Sequence, residues 1–184
     1  MCRDTLGVMR IISIDPGYER IGIAVLARQN FGEQNIGGQE KINGKEVLLF
    51  SECFKTKASL PFFDRLELLG REVARVITEY KPAALTIENL FIETNQKTAM
   101  RVAEARGAIL YQARVLGLEI YEYTPLQIKV ATTGYGKATK AQVISMVKKL
   151  MKGAENIKQD DEMDAIAIGL THFAHSRPQN ILTK

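Results

Sequence analysis

The stretch Arg10-Ile11-Ile12-Ser13-Ile14-Asp15-Pro16-Gly17 constrains the fold more than any other part of the chain. Its isoleucines, interrupted only by a serine, read as a central strand buried on both faces. The strand ends on a carboxylate followed at once by Pro-Gly. That pair suits a type II turn, where proline presets φ and glycine is expected at positive φ. Ile21 to Leu26 supplies the returning strand, with Gly22 and Ala24 as its small residues. Asp15 therefore stands where a core strand leaves the sheet. A charge in that place is either a turn-initiating aspartate or a ligand, because burying an unpaired carboxylate is costly.

The segments that follow alternate between strand and helix patterns. Residues 28–46 are polar and rich in Gly and Asn, and read as a long loop or extended hairpin tip. Val47 to Thr56 reads as a third strand. Leu60-Pro61 opens a helix in which Phe62, Leu66, Leu69, Val73, Val76, Ile77 and Tyr80 form one apolar stripe, and Lys81-Pro82 stops it. Ala83 to Ile87 is a short strand ending in Glu88. Thr94 or Asn95 can cap a long helix to Leu116, with Gly117 in the position after its end. Leu118 to Tyr123 reads as a fifth strand and Pro125 to about Thr132 as a short helix. Thr139 and Gln142 form a capping-box pair for a helix to about Met151. The last helix spans Asp160 to His175. A meander followed by alternating strands and helices predicts an α/β fold, a mixed five-stranded sheet with helices on both faces. Strands one and four become parallel neighbours in such a sheet.

With 184 residues, 46% of them hydrophobic, the chain is expected to form one domain over 9–176. Residues 1–8 are expected to be a disordered extension and 177–184 a tail. No apolar run reaches membrane-spanning length, and the first residues lack the apolar core of a signal peptide. Cys2 and Cys53 have no metal-ligand spacing and suggest a reducing, cytoplasmic setting. The net charge of +4 and pI of about 9.0 permit nucleic-acid binding without requiring it.

Acidic residues recur at places where they can meet. Glu88, like Asp15, closes a strand at its C-terminal end, where open α/β sheets build their sites. The segment Gln159-Asp160-Asp161-Glu162-Met163-Asp164 begins the last helix. Asp161 and Asp164 share a face at i, i+3, and Asp160 and Asp164 compete at i, i+4. Acids in a first turn also favour the helix dipole, which is the purely structural explanation. Clustered carboxylates repel each other unless a cation lies between them. An all-oxygen set suits Mg²⁺ or Mn²⁺ rather than zinc. Two such ions can activate water and stabilise the leaving oxygen in phosphodiester hydrolysis. The two histidines, His172 and His175, lie too far along the helix to share that site and read as cations favoured by the C-terminal dipole.

IDPG at 14–17, IENLF at 87–91, EARG at 104–107, QIKVATTGYGKATKAQV at 127–143 and DDEMDAIAIGLTH at 160–172 together resemble RuvC-type Holliday junction resolvases. The resemblance covers about residues 10 to 175, with the motifs in order. It implies a ribonuclease-H-like fold and a homodimer that nicks four-way DNA junctions symmetrically, with two Mg²⁺ per site and Mn²⁺ as substitute. It also implies a branch-migration helicase partner of the RuvA-RuvB type and no membrane association. Its acidic residues fall on Asp15, Glu88, Asp161 and Asp164, which selects Asp164 paired with Asp161 over Asp160. The rival readings are a ribonuclease-H-like nuclease acting on another nucleic acid and a catalytically idle junction-binding subunit.

Lys129, Lys137 and Lys140 are the candidate phosphate contacts. Lys140 falls at the first position of a helix, where a cation opposes the dipole, and a locally unfavourable charge points to a functional role. The resemblance places Lys129 and Lys140 beside the reacting phosphate. The Gly134–Lys137 loop is not a Walker phosphate loop, because position 131 is Ala. Phe91, just beyond Glu88, either stacks on an unpaired base or anchors its loop in the core. Small residues Ala99, Ala103, Gly107 and Ala108 allow close helix approach, here across a two-fold axis.

Overall fold

The structure is a computed structural model and describes residues 8–29, 45–89 and 96–176. The elements run β1 (Val8–Asp15), β2 (Arg20–Gln29), β3 (Glu46–Lys55), α1 (Phe62–Tyr80), β4 (Ala84–Glu88), α2 (Gln96–Val115), β5 (Glu119–Tyr123), α3 (Pro125–Thr133), α4 (Lys140–Leu150) and α5 (Asp160–His175). The sheet order is β3-β2-β1-β4-β5. The first three strands form an antiparallel meander, and β4 runs parallel to both β1 and β5. This is the ribonuclease-H-like arrangement, and it agrees with the mixed five-stranded sheet expected from the sequence.

The two-residue period of the strands sorts their side chains between two helical layers. Ile12, Ile14, Ile21, Ile23, Val25, Leu85 and Ile87 meet α1 and α2 through Leu69, Val73, Val76 and Ile109. Ile11, Ala24, Leu26 and Ala84 meet α3, α4 and α5 through Ile128, Val147, Ile166 and Phe173. Helix α5 lies directly on β1 and β2 because two glycines remove the obstruction. A Cβ on Gly22 would stand 1.8 Å from the Asp161 carbonyl oxygen, and one on Gly169 would stand 2.7 Å from Leu26 Cδ1.

Local chemistry sets the ends. Helix α2 closes in a Schellman motif: Gly117, at φ 83°, donates to the Arg114 carbonyl, and Leu118 donates to the Ala113 carbonyl. Lys81 adopts a left-handed φ of 50° at the end of α1, and Pro82 prevents continuation. Thr139 and Gln142 form the expected capping box on α4, and Thr124 with Gln127 forms a second one on α3.

Three expectations need correction. Gly17 does not adopt positive φ; glycine is needed there because a Cβ would lie 2.2 Å from the Arg20 carbonyl oxygen. Val8 belongs to β1 rather than to an extension, while residues 1–7 and 177–184 lie outside the described residues. The strands also reach into the anticipated 28–46 loop, where the buried Arg28 guanidinium bonds Glu46 at 2.8 Å. Residues 30–44 lie outside the described residues.

Candidate active site

Strand parity delivers two of the acids to one face. Ser13 pairs with Thr86 across the parallel β1–β4 ladder, on the side facing α5. Two residues further along, Asp15 and Glu88 emerge on that same side at the strand ends. Gly22, opposite Asp15 on β2, lets the first turn of α5 settle against the strand, bringing Asp161 and Asp164 to them. The glycine was visible in the sequence as a small residue, but its role depends on which helix crosses it.

The carboxylates feel one another's charge. Burial pushes Asp15 up to about 8, with Asp164, Glu88 and Asp161 adding repulsion and Lys140 opposing them. Glu88 is also raised, by burial and then by Asp164, against the pull of Lys129 and Lys140. Asp164 is raised by burial despite its hydrogen bond from Lys140. Lys140 Nζ lies 2.8 Å from Asp164 and 3.6 Å from Asp160. Burial disfavours the charged ammonium, but those acids outweigh it and raise Lys140 overall. The same contacts offset the dipole penalty at the first position of α4.

Asp161 faces the other way. Its Oδ1 pairs with Arg20 Nε at 3.3 Å and its Oδ2 accepts from Cys53 Sγ at 3.4 Å. Burial, followed by the Asp161 carboxylate, pushes the Cys53 thiol up to about 11, so it stays an S–H donor. Among the described residues no three His, Cys, Asp or Glu side chains already form a compact ligand shell. Asp161 is paired with Arg20 and Asp164 with Lys140.

A cleft of about 220 Å³ opens beside them, lined by the charged Glu88, Lys129, Lys140 and Asp164 and by the apolar Pro125, Ile128, Val143 and Ile168. Of the three candidate lysines, Lys129 and Lys140 line this cleft. Lys137 is exposed on the loop before α4 and does not line the cleft. Phe91 lies outside the described residues. Arg106 bonds the Glu88 carbonyl through Nε at 3.4 Å and Glu122 at 3.1 Å, fixing the end of β4.

His172 departs from its expected role. It is 1% exposed, and Tyr123 Oη lies 2.9 Å from its Nδ1. Burial, then Arg28 and His175, push it down to about 4, so it is neutral and gains nothing from the dipole. Its helical phase against β5 decided this, and a single helix pattern does not reveal that contact.

A ribonuclease-H-like sheet with carboxylates gathered over the ends of its central strands is the scaffold of a nuclease. The model of the family described as crossover junction endodeoxyribonuclease RuvC matches residues 11–172. The Halothermothrix orenii enzyme of that name is 38% identical over 164 residues, covering 89% of this chain and 92% of the relative. The Thermus thermophilus RuvC structure superposes with a TM-score of 0.77 at 32% identity, over 92% of this chain and 96% of that one. The structure of Thermus thermophilus RuvC with Holliday junction substrate gives 0.79 at 31% identity, over 92% and 95%. The chain belongs to the RuvC family and is an endodeoxyribonuclease.

Nucleases of this family are metal-dependent. The residues present fit a hard divalent cation. The donors around Asp15 are all carboxylate oxygens, and a cation among them would relieve the mutual repulsion that raises Asp15, Glu88 and Asp164.

Proposed function

We propose that this enzyme binds four-way DNA junctions as a homodimer and resolves them by symmetric paired nicks. The observation that carries the reading is geometric: Asp15 and Glu88 close the adjacent parallel strands β1 and β4, and the first turn of α5, with Asp161 and Asp164, packs on Gly22 opposite Asp15. An arrangement of that kind is stable as an anionic set only around added positive charge. Asp15, Glu88, Asp161 and Asp164 are the residues that would hold Mg²⁺, with Mn²⁺ as substitute and two ions per site. Bound there, the metal supplies Lewis-acid stabilisation and a nucleophilic water.

The chain's own residues do the rest. Lys140, held by Asp164, and Lys129, beside Glu88, place positive charge at the mouth of the cleft, where a phosphate oxygen would lie. Lys137 extends this basic rim along the exposed loop. Phe91 is assigned to stacking at the crossover.

Dimerisation draws support from α2. Met100, Tyr111 and Val115 are exposed along a stripe with Ala103 and Gly107, and a Cβ on Gly107 would meet nothing. A related protein whose structure contains a Holliday junction supports junction DNA as the substrate. A branch-migration helicase partner and a cytoplasmic location follow from the family likeness. No helix among the described residues is long and apolar enough to cross a membrane.

The test is cleavage of a mobile four-way junction with end-labelled strands. Paired nicks on opposing strands of like polarity are expected. Faster cleavage of an RNA:DNA hybrid, or single uncoupled nicks, would overturn the reading. A monomeric mass with and without junction DNA would overturn the dimer.

A further inference from the structure

The first turn of α5 is gripped from its side by the β2–β3 edge. Lys55 Nζ lies 3.4 Å from Gln159 Oε1, and Ser51 Oγ donates to Glu162 at 2.8 Å. Between these contacts, Arg20 and Cys53 engage the two oxygens of Asp161 separately. The register explains the meeting. Arg20 and Gly22 project from the same face of β2, and Cys53 stands opposite Gly22 on β3. Gly22 admits the α5 backbone, so the side chain two residues earlier reaches the Asp161 carboxylate.

The main chain that presents Arg20 is itself tied down. The buried Arg65 donates from Nη2 to the Tyr18 carbonyl at 3.0 Å and from Nε to Thr56 Oγ1 at 2.9 Å. Its guanidinium carbon stands 5.1 Å from the centroid of the Tyr18 ring. Thr56 donates from its backbone N–H to the Glu19 carbonyl at 3.0 Å. The link from Asp15 to Arg20 is therefore fixed at both ends, while the Arg20 side chain remains 59% exposed at the rim of the site.

We infer that Arg20 is a positioning residue of the nuclease site, the resident counter-cation of Asp161, and that it competes with a divalent cation for this carboxylate and thereby sets the metal affinity. The inference rests on the reading of Asp161 as a metal ligand. The site is then built with two protein cations, Lys140 on Asp164 and Arg20 on Asp161. A guanidinium pair draws electron density from the oxygen the metal needs and places a like charge beside the ion. Arg20 also keeps Asp161 from closing on Asp15 before metal enters.

The experiment measures Mn²⁺ binding by electron paramagnetic resonance, and Mg²⁺ binding by competition, on the full chain without DNA. Arg20→Gln is expected to bind Mn²⁺ about three- to tenfold more tightly at low salt, and Arg20→Lys is expected to return toward the wild-type value. Asp161→Asn is expected to weaken binding, and the Arg20→Gln effect should vanish in that background. Circular dichroism and melting confirm that each variant is folded. If Asp161→Asn weakens binding but Arg20→Gln leaves it unchanged, the role of Arg20 is wrong while the metal site stands. If Arg20→Gln tightens binding equally in the Asp161→Asn background, the effect is bulk charge and the pairing is irrelevant. If Asp161→Asn changes nothing, Asp161 is not a ligand and both readings fall.

Discussion

The two ends of α5 carry the same outward pattern, acids in the first turn and histidines in the last, yet the structure uses them in opposite ways. At the N-terminal end Asp161 and Asp164 are only partly buried and each is held by a cation, Arg20 or Lys140. Asp164 lines the cleft beside Glu88, while Asp161 turns to Arg20 and Cys53. At the C-terminal end His172 is fully buried, packed 4.6 Å from the Tyr121 ring centroid and bonded to Tyr123. Its charge is suppressed, and it serves the core. The helix dipole favours both sets equally, so burial and the available partners decide which group stays ionised.

The largest effects should come from the acidic end. Asp15→Asn or Asp164→Asn should lower junction cleavage on the order of a thousandfold or more, since each removes a carboxylate proposed to hold the metal. Folding should survive, and relief of repulsion around Asp15 should if anything raise the melting temperature in EDTA. Cleavage at the wild-type rate by both variants would remove the chemical distinction between the two ends.

His172→Ala should do the reverse. It opens a cavity and strands the Tyr123 hydroxyl, costing roughly 2–4 kcal/mol of stability, while the remaining folded protein cleaves normally. The pH dependence carries its own sign. His172 falls from 6.5 to about 4 in the fold, so the unfolded chain binds the extra proton between those values. Stability should therefore drop as pH falls through that window, by at most about 3 kcal/mol. Asp15 runs the other way. Its folded value of about 8 against 3.8 means that the folded protein holds the extra proton, so its contribution fades as pH rises through that range in EDTA. Chemical denaturation from pH 4 to 9 should show the acid limb flatten in His172→Gln and the alkaline limb flatten in Asp15→Asn. Unaltered limbs in both variants would show that burial does not govern either group.

Gly22→Ala sharpens the comparison from the strand side. The added methyl meets the Asp161 backbone at 1.8 Å, so the first turn of α5 must lift from β2. We expect a loss of about 1–3 kcal/mol from overpacking, together with weaker Mn²⁺ binding because Asp161 moves with the turn. Gly169 lies further along the same helix, where a Cβ would meet Leu26 and Ser13 rather than a site residue. Gly169→Ala should therefore cost similar stability without altering Mn²⁺ affinity. Equal metal binding in both variants and wild type would show that the α5 contact with β2 does not position the acid.

The elements of this fold were legible because local signals agreed with tertiary ones. The Ile11–Ile14 run, the Lys81-Pro82 stop, Gly117 and the Thr139–Gln142 box each specify their element without help from afar. The acids were legible because strand ends and a helix start are places that local pattern can locate. What escaped depends on pairs distant in sequence. Arg20, just ahead of the strand read from Ile21, carries no signal until β2 and α5 are juxtaposed, and neither does Arg65 until its bonds to Tyr18 and Thr56 appear. His172 was misread for the same cause, since the contact that neutralises it comes from β5. Gly17 was assigned a dihedral role where close approach to the Arg20 carbonyl is the actual constraint.

The smallest expected effect lies at His175, in the last turn of α5. Its side chain is exposed, and its Nδ1 lies 2.9 Å from the Thr171 carbonyl in the last turn of α5. A charged imidazole there interacts favourably with the C-terminal pole, worth about 0.3–1 kcal/mol at low ionic strength. His175→Ala should lower stability by that amount at pH 5 and low salt, and the loss should shrink toward zero in roughly 1 M salt, where the Debye length is about 3 Å. The cost of His172→Ala arises from a cavity and a stranded hydroxyl, so salt should leave it unchanged. Urea denaturation of both variants at the two ionic strengths separates the mechanisms. A salt-insensitive loss at His175 would mean that packing against the Tyr123 ring, 5.3 Å between centroids, outweighs the dipole there as well.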